Sequence, residues 1–458
     1  MHLKKWNKFI KNRRTQRMEK LALLGGQKAV KADPKDIFDW PIITKEIEDG
    51  VLKVLREGNM SHNDVTKEFE REYAEWFGMK YALGHSTGTG ALHGAMFGLG
   101  IGRGDEIICP SITYWASALP VYSLGGTVVF CDIDKDTLNI DPNDIEHRIT
   151  ERTKAIVVVH YAAMPADMDP IMEIARKHNI KVIEDVSHAH GALYKGKLTG
   201  TFGDVSAFSL MSGKSFATGE AGIMLTNDQR VHERALLFGH YARHDEVQLK
   251  DLKSEAGLPL GGYKYRMHQL SSAVGLVQIK NYPKQMAEID KAMNYFGDLL
   301  EGTSGIKVRR PPKNSGSTMG GWYAARELYR PDELGGLSVK RFCEAVNAEG
   351  CSKCHPGGNT ALHLAPIFNE IDVYNQGKPT RIANSPQGVD VRQPVGSLPV
   401  SENIQKYMFS IPWFKHYRPN IIEEYANAFK KVAENSKELL PGDTKEEDAG
   451  GFGLTARQ

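Results

Sequence analysis

Six short, almost uninterrupted apolar runs with helical stretches between them constrain this chain more than any other feature. They are Ile107–Cys109, Val128–Cys131, Ala155–His160, Lys181–Ile183, Ser206–Ser209 and Ile223–Leu225, with Ala91–Gly98 and Pro170–His178 reading as helices. Strands that are apolar throughout are covered on both faces, and helices between them do the covering. The pattern predicts an α/β fold with a mostly parallel sheet. In such sheets a ligand sits beyond the carboxyl ends of the strands.

A chain of 458 residues suits one large core plus a second lobe. Residues 1–40 read as an N-terminal arm, basic at first and then carrying Gly25, Gly26 and Pro34. Residues 41–280 read as the large domain, which opens with a helical pattern from Ile43 to Phe77. An amphipathic stretch from Tyr282 to Leu300 leads into a smaller α+β domain, 281–440. That domain contains an irregular Gly/Pro/Asn-rich insertion at 355–400, a strand at Met408–Ile411 and a closing helix. Residues 441–458 read as a flexible tail.

Charge narrows the partners. With 58 basic and 56 acidic residues the formal charge is +2, so no global field points to nucleic acid or an anionic membrane. No apolar run approaches the length of a membrane helix. The basic residues Lys4, Lys5, Lys8, Lys11, Arg13, Arg14, Arg17 and Lys20 lack the apolar stretch of a secretory signal, so the expected location is the cytoplasm. Five scattered cysteines do not form a disulfide framework. Cys351-Ser-Lys-Cys354-His355 matches the short c-type haem attachment pattern, and a CxxC can also be redox-active or hold zinc. No export signal accompanies it, and apart from His363 nearby no second close Cys or His pair does. It reads as a chance match, and no metal site is expected.

Three segments carry chemistry. In Gly84-His-Ser-Thr-Gly-Thr-Gly-Ala-Leu92 a strand, a small-residue turn and a helix start follow one another. Amides exposed at a helix N-terminus, with Thr87 and Thr89 hydroxyls, suit a phosphate. The spacing is not that of a dinucleotide fingerprint, because His93 stands where the third glycine belongs. In Val182-Ile-Glu-Asp185-Val-Ser-His188-Ala-His190 an acidic pair follows a strand and puts Asp185 at the open end of the sheet. A carboxylate there can keep a ring nitrogen protonated. In Ser209-Leu-Met-Ser-Gly-Lys214-Ser-Phe-Ala-Thr-Gly219 one lysine stands among small residues, 29 positions after Asp185. Desolvation turns such an amine into a nucleophile toward aldehydes.

Taken jointly, the ThrGlyThr turn, the GluAsp followed by AlaHisGly, and SerPheAlaThrGlyGluAlaGly after the lysine resemble the DegT/DnrJ/EryC1/StrS family. These are sugar and cyclitol aminotransferases dependent on pyridoxal 5'-phosphate, with the fold-type-I architecture. The resemblance runs from about residue 25 to about residue 435. It implies that the large domain binds the cofactor and that Lys214 holds it covalently and shuttles a proton. It also implies that Asp185 pairs with the pyridine nitrogen, and that Gly88, Thr89 and Ser209 hold the phosphate. Tyr114 matches the aromatic that stacks on the ring, with Trp115 beside it as the alternative. His188 stands near the cofactor hydroxyl, and His160 in a loop lining the substrate cavity.

The stretch Gly262-Tyr-Lys264-Tyr-Arg266-Met267 departs from the family pattern, with lysine where an asparagine often reaches the phosphate in the partner subunit. Lys264 is the cation expected there, in a homodimer with shared sites. The expected reaction is a ping-pong transfer from glutamine or glutamate to a keto-sugar or keto-cyclitol. The insertion at 355–400 is where acceptor choice is expected. The alternatives are a deoxysugar dehydratase, which in this family replaces the lysine by histidine, and a cofactor-binding regulator without turnover. A haem or redox protein built on Cys351 and Cys354 is a third.

Overall fold

Runs rich in valine and isoleucine become strands because branched side chains pack well on a pleated surface with neighbours on both faces. In the computed structural model, which describes residues 20–32, 35–386 and 389–445, every expected run falls on a strand, with His160 and Ile411 each one residue past a strand end. In chain order the strands are β1 (Tyr81–His85), β2 (Glu106–Pro110), β3 (Thr127–Cys131), β4 (Thr153–Val159) and β5 (Lys181–Asp185). There follow the small hairpin of β6 (Leu193–Tyr194) and β7 (Lys197–Leu198), then β8 (Val205–Ser209) and β9 (Gly222–Thr226). Seven of them form one sheet in the order β1-β9-β8-β5-β4-β2-β3. All neighbours are parallel except β9, which runs antiparallel to both β1 and β8. The α/β expectation, a mostly parallel sheet with helices, is borne out.

The second core forms around a three-stranded antiparallel sheet of β10 (Ile306–Lys307), β11 (Arg326–Tyr329) and β12 (Met408–Ser410). Phe342, Phe409, Phe429 and Val432 fill it. Leu21, Val30 and Ile37 from the N-terminal stretch sit in the same core. The Glu349 carboxylate ties that stretch down by accepting from the amides of Ala22 at 2.8 Å and Ala29 at 2.9 Å. Residues 1–19 of the expected arm and 446–458 of the expected tail lie outside the described residues.

Several details differ from expectation. The helical pattern from Ile43 to Phe77 is two helices, Lys45–Arg56 and Asp64–Phe77, parted at Gly58 with φ of 65°. The helix leading to the smaller core begins well before Tyr282. It spans Gln269–Leu300 with Pro283 inside it. Much of the insertion serves the sheet edge. Gln393 accepts from the Phe130 amide at 2.8 Å and donates to the Phe130 carbonyl at 2.6 Å, and Arg381 Nε donates to the Val128 carbonyl at 3.0 Å. Side chains thus replace a missing neighbour strand along β3, and the exposed edge disappears.

Candidate active site

Strands β5 and β8 are parallel neighbours, with Asp185 opposite Ala207, so both deliver their carboxyl ends to one cleft. Asp185 closes β5. The loop after β8 turns back tightly: the Lys214 amide donates to the Met211 carbonyl and the Ser212 amide to the Gly219 carbonyl, both at 2.8 Å. That turn holds Lys214 in the cleft, where its side chain is buried. Burial lowers its pKa to about 8, against the opposing pull of the Asp185 carboxylate. Its Nζ lies 4.3 Å from the centre of the Tyr323 ring.

Asp185 is prepared as an anion. Its Oδ2 accepts from the Ser117 hydroxyl at 2.7 Å and its Oδ1 from the Ser187 amide at 3.1 Å. Two acceptor positions remain for a protonated ring nitrogen. Glu184, expected after the strand, lies within it, and alternation sends its side chain to the other face. There it accepts from the amides of Gly200, Phe202 and Gly203, each at 2.7 Å.

The turn expected to hold a phosphate is a helix start. Thr87 caps the helix Gly88–Gly98 by accepting from the Gly90 amide at 3.0 Å, and its carbonyl takes the Ala91 amide. The Gly88 and Thr89 amides open the helix and have no acceptor within it. A side chain at residue 88 would bring its Cβ to 2.5 Å from Ser209 Cβ, so only glycine lets this helix end meet the end of β8. Gly88, at the start of this helix, and Ser209, at the end of β8, are therefore in close contact.

His188 is buried beside this cleft, with the Tyr323 ring 5.0 Å away. Its Nδ1 accepts from the Ala162 amide at 3.3 Å. Burial and then the positive charges of Lys214 and Arg326 push its pKa well below the ordinary histidine value, so the ring is neutral. His160 is elsewhere in role. It is fully buried, with Nε2 on the Glu184 carboxylate at 3.0 Å and Nδ1 accepting from the Ala166 amide at 3.0 Å. Both ring nitrogens are engaged within the protein, so the ring ties the loop after β4 to Glu184.

Tyr114 and Trp115 lie against each other, ring centres 4.9 Å apart, and each is partly exposed. Lys264 is exposed 5.9 Å over the Tyr241 ring, and among the described residues no contact joins it to Lys214 or Asp185. Cys351 and Cys354 are buried in the smaller core, with Cys354 Sγ 3.4 Å from Cys343 Sγ, while His355 faces solvent.

Sequence reasoning missed Ser117, Tyr323 and Trp40. Ser117 is three residues beyond Tyr114 and was within reach of the motif. Tyr323 sits between Trp322 and Ala324, both in left-handed backbone at φ of 56° and 54°. Such strain in non-glycine residues concentrates at functional sites. Trp40 donates from Nε1 to the Lys214 carbonyl at 2.8 Å.

An amine of lowered pKa, a doubly hydrogen-bonded carboxylate and an open helix N-terminus at adjoining strand ends fit pyridoxal phosphate group by group. Fold and site together define a fold-type-I pyridoxal-phosphate-dependent transferase. The chain belongs to the DegT/DnrJ/EryC1/StrS aminotransferase family, whose pattern matches residues 41–430. It is 39% identical over 244 residues to the GDP-perosamine synthase of Caulobacter vibrioides, covering 53% of this chain and 64% of that protein. It is 30% identical over 405 residues to an uncharacterized protein of Methanocaldococcus jannaschii, covering 87% and 97%. The matches to the Caulobacter synthase and to that of Escherichia coli O157:H7 span less than two thirds of those proteins, 64% and 58%. The solved aminotransferase from Psychrobacter cryohalolentis superposes with a TM-score of 0.75 at 30% identity, over 87% of this chain and 99% of that one.

Proposed function

We propose that this protein is a pyridoxal-phosphate-dependent aminotransferase that moves an amino group from glutamine or glutamate to a keto-sugar or keto-cyclitol in two half-reactions. The observation that carries the reading is the joint placement of Lys214 and Asp185 at one cleft, beside the glycine-opened helix end at Gly88. When bound, pyridoxal phosphate supplies an electron sink for carbanion chemistry. Asp185, held by Ser117 and the Ser187 amide, keeps the ring nitrogen protonated. Lys214, neutral in appreciable fraction near pH 7, takes the proton from the donor's α-carbon and later returns one to the acceptor carbon. Gly88, Thr89 and Ser209 bind the phosphate. Neutral His188 stands by the ring substituents as a hydrogen-bonding group that adds no charge.

A sugar acceptor agrees with the likeness to the Caulobacter and E. coli GDP-perosamine synthases. Lys264, exposed and in contact with neither Lys214 nor Asp185 among the described residues, is assigned to the phosphate of a partner subunit, which makes the working unit a homodimer. Five free cysteines suit the reducing cytoplasm. The dehydratase reading loses ground to Lys214, because that chemistry uses histidine in its place. The solved E. coli dehydratase, at 23% identity and a TM-score of 0.71, is alike in fold alone.

The test is the visible spectrum of the purified protein, repeated after adding glutamine or glutamate and repeated again with Lys214→Ala. A cofactor band that bleaches with the donor, and is lost or unresponsive in the variant, is expected. A protein that binds no pyridoxal phosphate and ignores donors would overturn the reading.

A further inference from the structure

The peptide that carries the reactive lysine is gripped from outside its own lobe. On one side the Trp40 indole donates to the Lys214 carbonyl at 2.8 Å. On the other, Gly321 packs so closely on Ser215 that an added Cβ would collide with the Ser215 side chain. Gly321 is itself held by a second indole: Trp413 Nε1 donates to its carbonyl at 2.9 Å. The two indoles touch, ring centres 5.6 Å apart, and Trp413 also lies 5.8 Å from Tyr323, the ring under Lys214 Nζ.

Both indoles are anchored in the smaller core. Lys415, two residues after Trp413, donates its amide to the Ile37 carbonyl at 2.9 Å. Its buried amine, whose pKa burial lowers to about 6, lies 3.1 Å from the Trp413 ring centre and donates to the Trp413 carbonyl at 3.0 Å. Arg418 pairs with Asp36. The short segment from Asp36 to Trp40 is thus fastened to the smaller lobe at one end and bonded to the catalytic loop at the other.

We infer that Trp40 is a positioning residue for the transamination, fixing the Lys214 backbone and coupling the seat of that lysine to the smaller lobe through Trp413. The Lys214 loop is otherwise built from glycine and small residues, Ser212-Gly213-Lys214-Ser215, which leave the backbone many alternatives. A bond to the lysine's own carbonyl removes them at the residue where a displacement of about 1 Å matters most. It also keeps the loop pressed into the cleft, where the amine stays out of water. Catalysis is assigned to Lys214 and Asp185. Trp40 touches neither substrate nor reacting atoms, and acts through the loop.

The inference rests on Lys214 being the cofactor lysine, so two variants are compared with the wild type in full-length protein. Lys214→Ala tests the functional reading by loss of the cofactor band. Trp40→Phe keeps a ring against Trp413 and removes only the N–H donor. With the cofactor stripped, the pH dependence of acetylation at Lys214 by acetic anhydride is followed by peptide mass spectrometry. The groups facing the amine, Asp185, His188, His190 and the Tyr323 phenol, are the same in both proteins. Trp40→Phe is expected to move the labelling midpoint upward, toward an ordinary lysine, and to slow the donor half-reaction about fivefold. Thermal melting measured in parallel separates a loosened loop from a loosened fold. An unchanged midpoint overturns the inference, whether turnover is unchanged or falls only in step with the folded fraction. If Lys214→Ala keeps the band, the functional reading fails first and independently.

Discussion

At neutral pH an ordinary lysine is almost wholly protonated, whereas burial gives Lys214 a pKa of about 8 and a usable neutral fraction. Acylation of the cofactor-free protein should therefore show a Lys214 midpoint near pH 8. Between that value and the usual 10.5 the unfolded chain holds a proton that the folded chain lacks. The lysine's contribution to stability thus rises with pH across the window, and Lys214→Met should flatten that part of a melting-against-pH curve. Ser117→Ala removes one hydrogen bond from a carboxylate that must stay charged. A loss of about tenfold in donor half-reaction rate is expected by stopped-flow absorbance. Lys214 and Asp185 were legible in the sequence because each sits in a short local motif at a strand end. Tyr323 and Trp40 were not, because each reaches Lys214 across more than a hundred residues of chain with nothing local to mark it. The surroundings of His160 were hidden for a different reason. Residue type named a titratable ring, but only the fold shows that Glu184 and the Ala166 amide occupy both its nitrogens.

Strands and helices were easier to read than their junctions. Apolar runs located all six expected strands, since burial on both faces leaves no other composition open to them. The break between the helices Lys45–Arg56 and Asp64–Phe77 rests on one left-handed glycine, Gly58, inside an otherwise continuous amphipathic pattern. The role of the insertion was invisible, because Gln393 imitates a strand's backbone with a side chain. Two predictions belong at this scale. Gly88→Ala would drive a methyl into Ser209 and push the helix end off β8. Affinity for pyridoxal phosphate, measured by titrating stripped protein, should fall at least about tenfold while the fold is retained. Glu184→Ala removes the acceptor for three amides and His160 at once. Denaturant unfolding should show a loss of about 3 kcal/mol.

For the molecule as a whole, the proposed sharing of sites makes a count that one chain alone cannot satisfy. Lys214→Ala and Lys264→Ala chains are each expected to be impaired, yet unfolding and refolding them together should restore about a quarter of wild-type turnover. Half of the randomly paired dimers are hybrids, and each hybrid has one site with both lysines. No recovery would place each site within a single chain. The grip of Trp40 and Trp413 on the Lys214 turn has a consequence in time as well as in space. Trp413 leaves the ribosome roughly 200 residues after Lys214, a delay of about 10–40 s at ordinary rates of synthesis. During that interval the large sheet can close around a lysine whose outer support does not yet exist. Cofactor capture in its final geometry is therefore expected only once translation has passed residue 413.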